Sequence, residues 1–231
     1  MISYSQFCPV AKASEIITTR WTPLVLRELI MGSRHFNDIH RGVPLMSRTL
    51  LSTRLKDLEK IGVVERTASK NRKSWEYSLT GMGNELTPII IALGVWGQKW
   101  VESSIDSGDW DAGVLMWDIR RRIDVNYLPG KKTVIQFEFE DAPKEMRCWW
   151  IVIENGEADL CQRDPGFNVD LFVASNVVDL SRVWIGQQKL SQAIDQGAVS
   201  LIGEQKLRQT IFKWFPLAKV NEAAREMSRS S

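Results

Sequence analysis

The chain has 231 residues, of which 44% are hydrophobic and 25% are charged, and its formal net charge is +2. This length allows two modest domains, and the composition excludes a disordered or fibrous chain. No apolar run approaches the roughly 20 residues that span a bilayer, and residues 1–10 lack the pattern of a secretion signal, so we expect a cytoplasmic protein with no membrane partner. Cys8, Cys148 and Cys161 match no disulfide framework and no metal-binding spacing, which favours a reducing compartment.

Basic residues are concentrated in the first half of the chain. Residues 1–104 hold 14 Lys and Arg against 9 Asp and Glu, whereas residues 105–231 hold 16 against 19. Residues 34–73 alone hold 10 basic and 4 acidic side chains. Because a cationic patch is complementary to the phosphates of duplex DNA, nucleic-acid binding is expected in the first half.

Three helices are predicted first, at residues 9–19, 21–31 and 36–40. A fourth helix then begins after Ser47, which is the predicted N-cap. Leu51, Leu55 and Leu58 stack on one face of this helix at about 100° per residue, so that face should be buried. Its other face carries small polar and basic side chains, namely Arg48, Thr49, Ser52, Thr53, Lys56 and Lys60.

Two short strands, at residues 63–68 and 75–79, are predicted on either side of the basic tip 69–74. A helix shaped for the major groove followed by a basic hairpin is typical of a winged helix-turn-helix DNA-binding domain. The alternative is a solvated helix face followed by an ordinary polar turn. Arg54 lies among the apolar positions and is expected to form a structural ion pair. The predicted phosphate contacts are Arg34, Lys70, Arg72 and Lys73, and the predicted contacts near base edges are Arg48, Thr49, Ser52 and Lys56. Ser47, the N-cap, is also predicted to lie in the DNA-binding surface.

After a predicted turn at residues 80–83, residues 84–103 show apolar side chains at intervals of three and four, which predicts one long helix. Its apolar surface exceeds what a small winged domain can cover. We therefore predict a homodimer interface, with packing against the second domain as the alternative. The interface residues would be Leu86, Ile89, Ile90, Leu93, Trp96 and Trp100.

Residues 103–109 are mostly small and polar, and strand-like patterns follow them, so a domain boundary is predicted there. The predicted domains are 1–104 and 111–220, followed by a frayed tail at 221–231. The second domain is predicted as an α+β fold in which an antiparallel sheet is covered by helices. Its helices are expected at 110–123, 177–185, 191–196 and 205–215, and its strands at 133–140, 146–154, 157–161, 169–174 and 198–202.

Residues 1–100 resemble the HxlR-type branch of the MarR-like winged-helix regulators. The matching stretches are Cys8-Pro9-Val10, Arg20-Trp21, 24–29, 32–39, 50–66, 76–80, Leu86-Thr87-Pro88 and Trp96-Gly97. The resemblance implies a dimeric transcription regulator with its recognition helix on residues 47–60, although residues 70–75 depart from the proline-bearing wing of the family. Some similar regulators use a cysteine near Cys8 as a thiol sensor, and a packed structural residue is the alternative.

Residues beyond 111 resemble a sterol carrier protein-like domain, through the run of three strands, residues 170–174 and residues 197–203. The resemblance implies an apolar cavity for a lipid-like ligand, and an ordinary core is the alternative. Because adjacent strand residues face opposite sides of a sheet, only one of the two neighbouring tryptophans can point into the core. The predicted pocket residues are Phe137, Trp149, Trp150, Phe172 and Trp184.

The sequence holds no glycine-rich phosphate loop, nucleophile elbow, metal-ligand cluster or Cys-x-x-Cys pair. We therefore expect no cofactor, no metal and no enzymatic activity. The predicted function is that of a dimeric transcription regulator that binds double-stranded DNA and senses a small apolar or aromatic ligand. The alternative is a lipid-like ligand carrier or interaction protein without a direct DNA role. Salt-dependent binding to duplex DNA would distinguish the two functions.

Overall fold

The structure, a computed structural model, describes residues 3–69, 74–101, 107–215 and 217. The chain divides into two compact units, residues 1–97 and 98–231. The predicted frayed tail at 221–231 lies outside the described residues. Across the described ranges, every helix is too short or too polar to traverse a lipid bilayer.

The first unit is a winged helix-turn-helix fold. Leu51, Leu55 and Leu58 of its fourth helix are at most 2% exposed, so the predicted buried face is confirmed. The two wing strands pair in antiparallel register, and an isolated bridge from His35 to Glu76 adds a third strand position that the sequence did not indicate. In chain order the elements are α1 (Pro9–Ile17), α2 (Thr22–Ile30), α3 (Phe36–Gly42), α4 (Arg48–Ile61), β1 (Val64–Ala68), β2 (Trp75–Leu79), α5 (Gly81–Asn84) and α6 (Thr87–Trp100), whose last three residues belong to the second unit.

The helix predicted over 84–103 occurs as α6 over Thr87–Trp100, whereas the turn predicted at 80–83 is wrong, because the short helix α5 occupies those residues. The hydroxyl oxygen of Thr80 accepts a hydrogen bond from the Gly83 amide at 3.1 Å, and this cap starts α5 where the glycines suggested a turn. Gly83 fits tightly, since an added Cβ would overlap the carbonyl oxygen of Val63. Part of the predicted span, residues 102–106, lies outside the described residues.

The predicted elements of the second unit all occur, with ends that agree to within two residues. Asn155 and Gly156 both have positive φ values, 55° and 80°, and form the tight hairpin predicted for that pair. In chain order the elements are α7 (Ala112–Arg122), β3 (Thr133–Phe139), β4 (Cys148–Glu154), β5 (Glu157–Cys161), β6 (Leu171–Ser175), α8 (Val177–Trp184), α9 (Leu190–Asp195), β7 (Val199–Gly203) and α10 (Gln205–Trp214).

The five strands lie in the order β5-β4-β3-β6-β7, and the prediction of a purely antiparallel sheet is wrong for one pair. Strands β3 and β6 are parallel, whereas the other three pairs are antiparallel. The reason is the connection over residues 162–170, which returns the chain from the edge strand β5 to the far side of β3 instead of making another hairpin.

One face of this sheet forms the core of the second unit. Ile135, Phe137 and Phe139 of β3 pack in the same cluster as Trp149 and Ile151 of β4. Buried side chains of α7, α8, α9 and α10 belong to that cluster too, so these helices cover the same face. The other face carries Gln136, Glu138, Trp150, Val152 and Phe172, which are half-buried or exposed.

Candidate nucleic-acid interface

Helix α4 presents a solvent-facing row of small polar and basic side chains. The hydroxyl oxygen of Ser47 accepts a hydrogen bond from the Leu50 amide at 3.3 Å, which confirms the predicted N-cap. The helix ends at Gly62, where φ is +87°. Of the polar and basic side chains of α4, Ser52 is half-buried, and Arg48, Thr49, Thr53, Lys56 and Lys60 are exposed.

Arg48, at the start of this row, contacts the beginning of α3. Its Nη2 donates a hydrogen bond to Oδ1 of Asn37 at 2.5 Å. Its guanidinium carbon lies 5.4 Å from the centroid of the Phe36 ring, within the range of a cation–π contact. The sequence alone does not single out Asn37, because nothing in the pattern of one helix reports a side-chain pair between two helices.

Arg34 lies beside the wing, and its side chain forms a hydrogen bond within the protein. Its Nη1 donates a hydrogen bond to the carbonyl oxygen of Leu29 at 3.3 Å, near the end of α2, and cations are favourable there. The carbonyl oxygen of Arg34 also accepts a hydrogen bond from the Tyr77 amide at 2.8 Å. Arg34 is therefore exposed at the edge of the wing but tied to α2 and β2.

The described part of the wing is its stem, since the predicted contacts Lys70, Arg72 and Lys73 lie outside the described residues. In the stem, the guanidinium carbon of Arg66 lies 4.5 Å from the ring centroid of Trp75, which is 51% exposed. The Arg66 side chain also pairs with Glu59 of α4, with 3.5 Å between Nε and Oε1. These two contacts connect the wing stem to α4.

A buried carboxylate, that of Glu28, joins α2 to the end of α3. The sequence pattern does not reveal it, because Glu28 occupies an ordinary helix position. Glu28 is fully buried and accepts hydrogen bonds from Arg27 at 2.9 and 3.2 Å and from the Ser33 hydroxyl at 3.1 Å. Arg27 also donates to the carbonyl oxygen of Gly42 at 2.7 Å. The start of the turn that leads into α4 is thus held by this cluster of charged and polar groups.

The predicted structural role of Arg54 is confirmed. Its side chain is 13% exposed, and Nη1 lies 3.5 Å from the Asp57 carboxylate one turn later on α4. Arg54 therefore faces the protein rather than the polar row.

A groove of about 470 Å³ lies between the start of α3 and strand β2. It adjoins the contacts of Arg48, since Phe36 and Asn37 belong to both. The lining residues are His35, Phe36, Asn37, Asp38, Arg41, Ser74, Trp75 and Tyr77.

The five predicted ligand-pocket residues do not line one cavity, because they lie on opposite faces of the sheet. Phe137, Trp149 and Trp184 are at most 6% exposed and belong to the core. Trp150 is half-buried and Phe172 is 41% exposed on the other face. A different groove of about 470 Å³ lies along β7, α9 and α10, and its lining includes Ile194, Val199, Leu201, Arg208 and Phe212.

Cys8 is half-buried at the N-cap position of α1, where its carbonyl oxygen accepts a hydrogen bond from the Lys12 amide at 3.1 Å. Burial raises the pKa of the Cys148 and Cys161 thiols, and the carboxylates of Glu138 and Asp159, respectively, add to this effect. These two thiols are therefore mostly protonated near neutral pH. The part of the chain that the structure describes contains no cluster of three or more His, Cys, Asp or Glu suited to a metal ion.

Helix α6 exposes much of its apolar surface in the single chain. Ile89, Leu93, Trp96 and Trp100 are 48%, 52%, 56% and 63% exposed, and α6 has no buried residue among its described positions. The other two predicted interface residues, Leu86 and Ile90, are half-buried against the core of the first unit. Helix α1 also has no buried residue, and its Val10 is 72% exposed.

Comparison with known proteins finds similarity in the first half of the chain. The family model described as HxlR-like helix-turn-helix matches residues 16–105. The chain is 37% identical over 105 residues to the uncharacterized HTH-type transcriptional regulator YvaP of Bacillus subtilis, which covers 45% of this chain and 97% of that protein. It is 34% identical over 96 residues to the uncharacterized HTH-type transcriptional regulator sll1512 of Synechocystis sp., and the match covers 41% of this chain and 71% of that protein. The solved structure of the redox regulator HypR in its oxidized form aligns at 31% identity and a TM-score of 0.38, covering 40% of this chain and 96% of that chain.

Proposed function

Because the chain belongs to the HxlR-like helix-turn-helix family of transcriptional regulators, we propose that it regulates transcription as a homodimer whose α4 helices enter the major groove of double-stranded DNA. The observation that carries this proposal is the outward face of α4, where Thr49, Thr53 and Lys56 are exposed opposite a fully buried leucine face, and Arg48 is exposed in its first turn. Recognition helices place their first residues at base edges, and Arg48 is the first residue of α4. The exposed apolar surface of α6 supports the homodimer.

The proposal predicts different effects for base contacts and phosphate contacts. Arg48→Ala should reduce affinity for the preferred duplex by about 1–3 kcal/mol and relax the base preference, because a base contact is lost. The triple substitution of Lys70, Arg72 and Lys73 by alanine should weaken binding to all duplexes alike and reduce the salt slope by roughly three. The measurement is a gel-shift titration at several salt concentrations. If duplex affinity were unchanged in both variants, α4 and the wing would not be the DNA-binding elements.

We also propose that the second unit, with its sterol carrier-like resemblance, makes DNA binding responsive to a small apolar or aromatic ligand. The groove along β7, α9 and α10 supports this, because its volume of about 470 Å³ lies in the range of small-molecule sites and its lining is partly apolar. Such coupling is reciprocal and is typically worth 1–3 kcal/mol.

The ligand proposal is tested by titrating medium-chain fatty acids and aromatic acids against tryptophan fluorescence, then repeating the DNA titration with each binder. Phe212→Asp should weaken ligand binding, because Phe212 lines the groove and is 58% exposed. Ile202→Asp is the matched control, since Ile202 is 66% exposed on β7 but does not line the groove. Equal losses in the two variants, or binding without any change in DNA affinity, would contradict the proposal.

Thiol control through Cys8 is a further prediction. Mild peroxide should change the DNA affinity of the wild-type protein, and Cys8→Ser should abolish that response. The matched control is Cys148→Ser with Cys161→Ser, which should leave the response intact, because their raised pKa keeps both thiols mostly protonated at pH 7. The readout is duplex affinity before and after oxidation and after reduction. A response that persists in Cys8→Ser would assign Cys8 a structural role.

A further inference from the structure

The recognition helix does not hold its first basic side chain by itself. Arg48 is exposed, yet its guanidinium is fixed by a hydrogen bond to Asn37 Oδ1 and by the ring of Phe36. Phe36 and Asn37 are the first two residues of α3, and Phe36 packs against the core of the first unit. An element anchored in the core therefore sets where this flexible side chain lies.

The geometry leaves most of the guanidinium available. Arginine carries five N–H donors in a planar fork, and the contact with Asn37 uses one of them. Two parallel donors of that fork match O6 and N7 of guanine, which is the commonest specific arginine contact in the major groove. A side chain that is already ordered loses less conformational freedom when it binds, so the existing contacts favour recognition.

We propose that Asn37 and Phe36 are positioning residues that preorganise Arg48 to recognise a guanine, so that base specificity depends on α3 as well as α4. This inference rests on the proposed function, because it assumes that α4 enters the major groove. The opposite arrangement would be a latch, in which DNA must break the contact between Arg48 and Asn37 before Arg48 can reach a base. The two arrangements predict opposite effects of removing Asn37.

The experiment uses the full-length protein and duplexes that the wild type selects from a randomised library. Affinities for the selected duplex and its single-base variants are measured for wild type, Arg48→Ala, Asn37→Ala and the double variant. Asn37→Ala is expected to lower affinity for the selected duplex about tenfold, equivalent to 1.4 kcal/mol. It should also flatten the preference at the same base pair as Arg48→Ala. In the Arg48→Ala background, Asn37→Ala should change affinity less than about twofold.

Two further variants separate positioning from stability and from charge. Phe36→Leu keeps an apolar side chain in the core but removes the aromatic face, so it should weaken the same base preference while thermal unfolding stays near that of wild type. Arg41→Ala is the matched control, because Arg41 is exposed on α3 and pairs with Asp38 at 3.4 Å. Because this substitution removes one positive charge but keeps Asn37 and Phe36 in place, any loss of affinity should be the same for all duplexes, and the base preference should be unchanged.

The outcomes distinguish this inference from the proposed function. Independent, additive effects of Asn37→Ala and Arg48→Ala would overturn positioning, and a gain of affinity in Asn37→Ala would overturn it in favour of the latch. A lost base preference in Arg48→Ala but not in Asn37→Ala would overturn the inference while leaving the proposed function intact. Wild-type protein that selects no duplex from the library would overturn the proposed function and the inference with it.

Discussion

Replacing Gly42 with alanine is expected to destabilise the first unit by about 2–3 kcal/mol, which is the upper part of the range for overpacking a tight site. A Cβ at position 42 would overlap the carboxylate of Glu28. That carboxylate is fully buried and accepts hydrogen bonds from Arg27 and Ser33, so it cannot move aside without giving up those bonds. Glu28→Ala should lower the free energy of unfolding by about 3 kcal/mol, which is the low end of the range for breaking a buried ion pair. The low end applies because the Arg27 side chain is 36% exposed and can be hydrated once its partner is removed.

The two substitutions should be coupled rather than additive. In Glu28→Ala the carboxylate is gone, so a following Gly42→Ala should cost at least about 1 kcal/mol less than it does alone. Gly81→Ala is the matched control, because no atom lies within 4 Å of its added Cβ, and it should change stability by less than about 0.5 kcal/mol. Hydrogen exchange of α2 and α4 peptides, at one protein concentration, measures the first unit separately from the second. Additive effects would show that Gly42 is not matched to the buried carboxylate.

The contacts of Glu28 and Arg27 illustrate what the sequence alone does not reveal. Periodicity identified Leu51, Leu55 and Leu58 as the buried face of α4, because that pattern lies within one element. The contacts Arg27–Gly42 and Arg48–Asn37 link different helices, and no spacing along the chain reports them. The polar face of the recognition helix was therefore predictable, whereas the contacts that orient it were not.

The second unit shows the same limit at the level of a sheet. Alternation predicted that Trp149 and Trp150 face opposite sides, which is correct, since Trp149 is 6% exposed and Trp150 is half-buried on the other face. Alternation does not say which side the helices cover, so the predicted pocket mixed residues from both faces. It also does not say where a chain re-enters the sheet, and for that reason the parallel pairing of β3 with β6 was missed.

The second large effect is expected at the exposed stripe of α6, where Leu93→Glu with Trp96→Glu should convert a dimer to a monomer. Ile89, Leu93, Trp96 and Trp100 follow one another at intervals of four, three and four residues, so they form one stripe on the helix. All four are between 48% and 63% exposed in the single chain. A two-fold contact would bury the stripe of both chains at once, and two carboxylates at its centre would have to be desolvated in the dimer.

Loss of the dimer should be visible twice, in mass and in DNA affinity. Sedimentation at micromolar concentration should report a dimer for wild type and a monomer for the double variant. Affinity for a duplex with two half-sites should fall roughly 100-fold or more, because the second half-site is no longer bound in the same complex. Circular dichroism should be unchanged, since Leu93 and Trp96 are more than half exposed in the single chain.

The charge-matched control is Lys99→Glu, which changes the net charge by the same amount as the double variant at an exposed position beside the stripe. The Nζ atom of Lys99 lies 4.9 Å from the ring centroid of Trp100, so this side chain contacts the end of the stripe rather than its centre. The Lys99→Glu variant should remain dimeric and lose far less DNA affinity, so that simple repulsion between added carboxylates and phosphates is separated from loss of the interface. A wild-type protein that sediments as a monomer would contradict the homodimer directly. A double variant that unfolds would instead support the alternative that this stripe packs within the chain, because charges on a surface that is solvent-exposed in the monomer do not disrupt the fold.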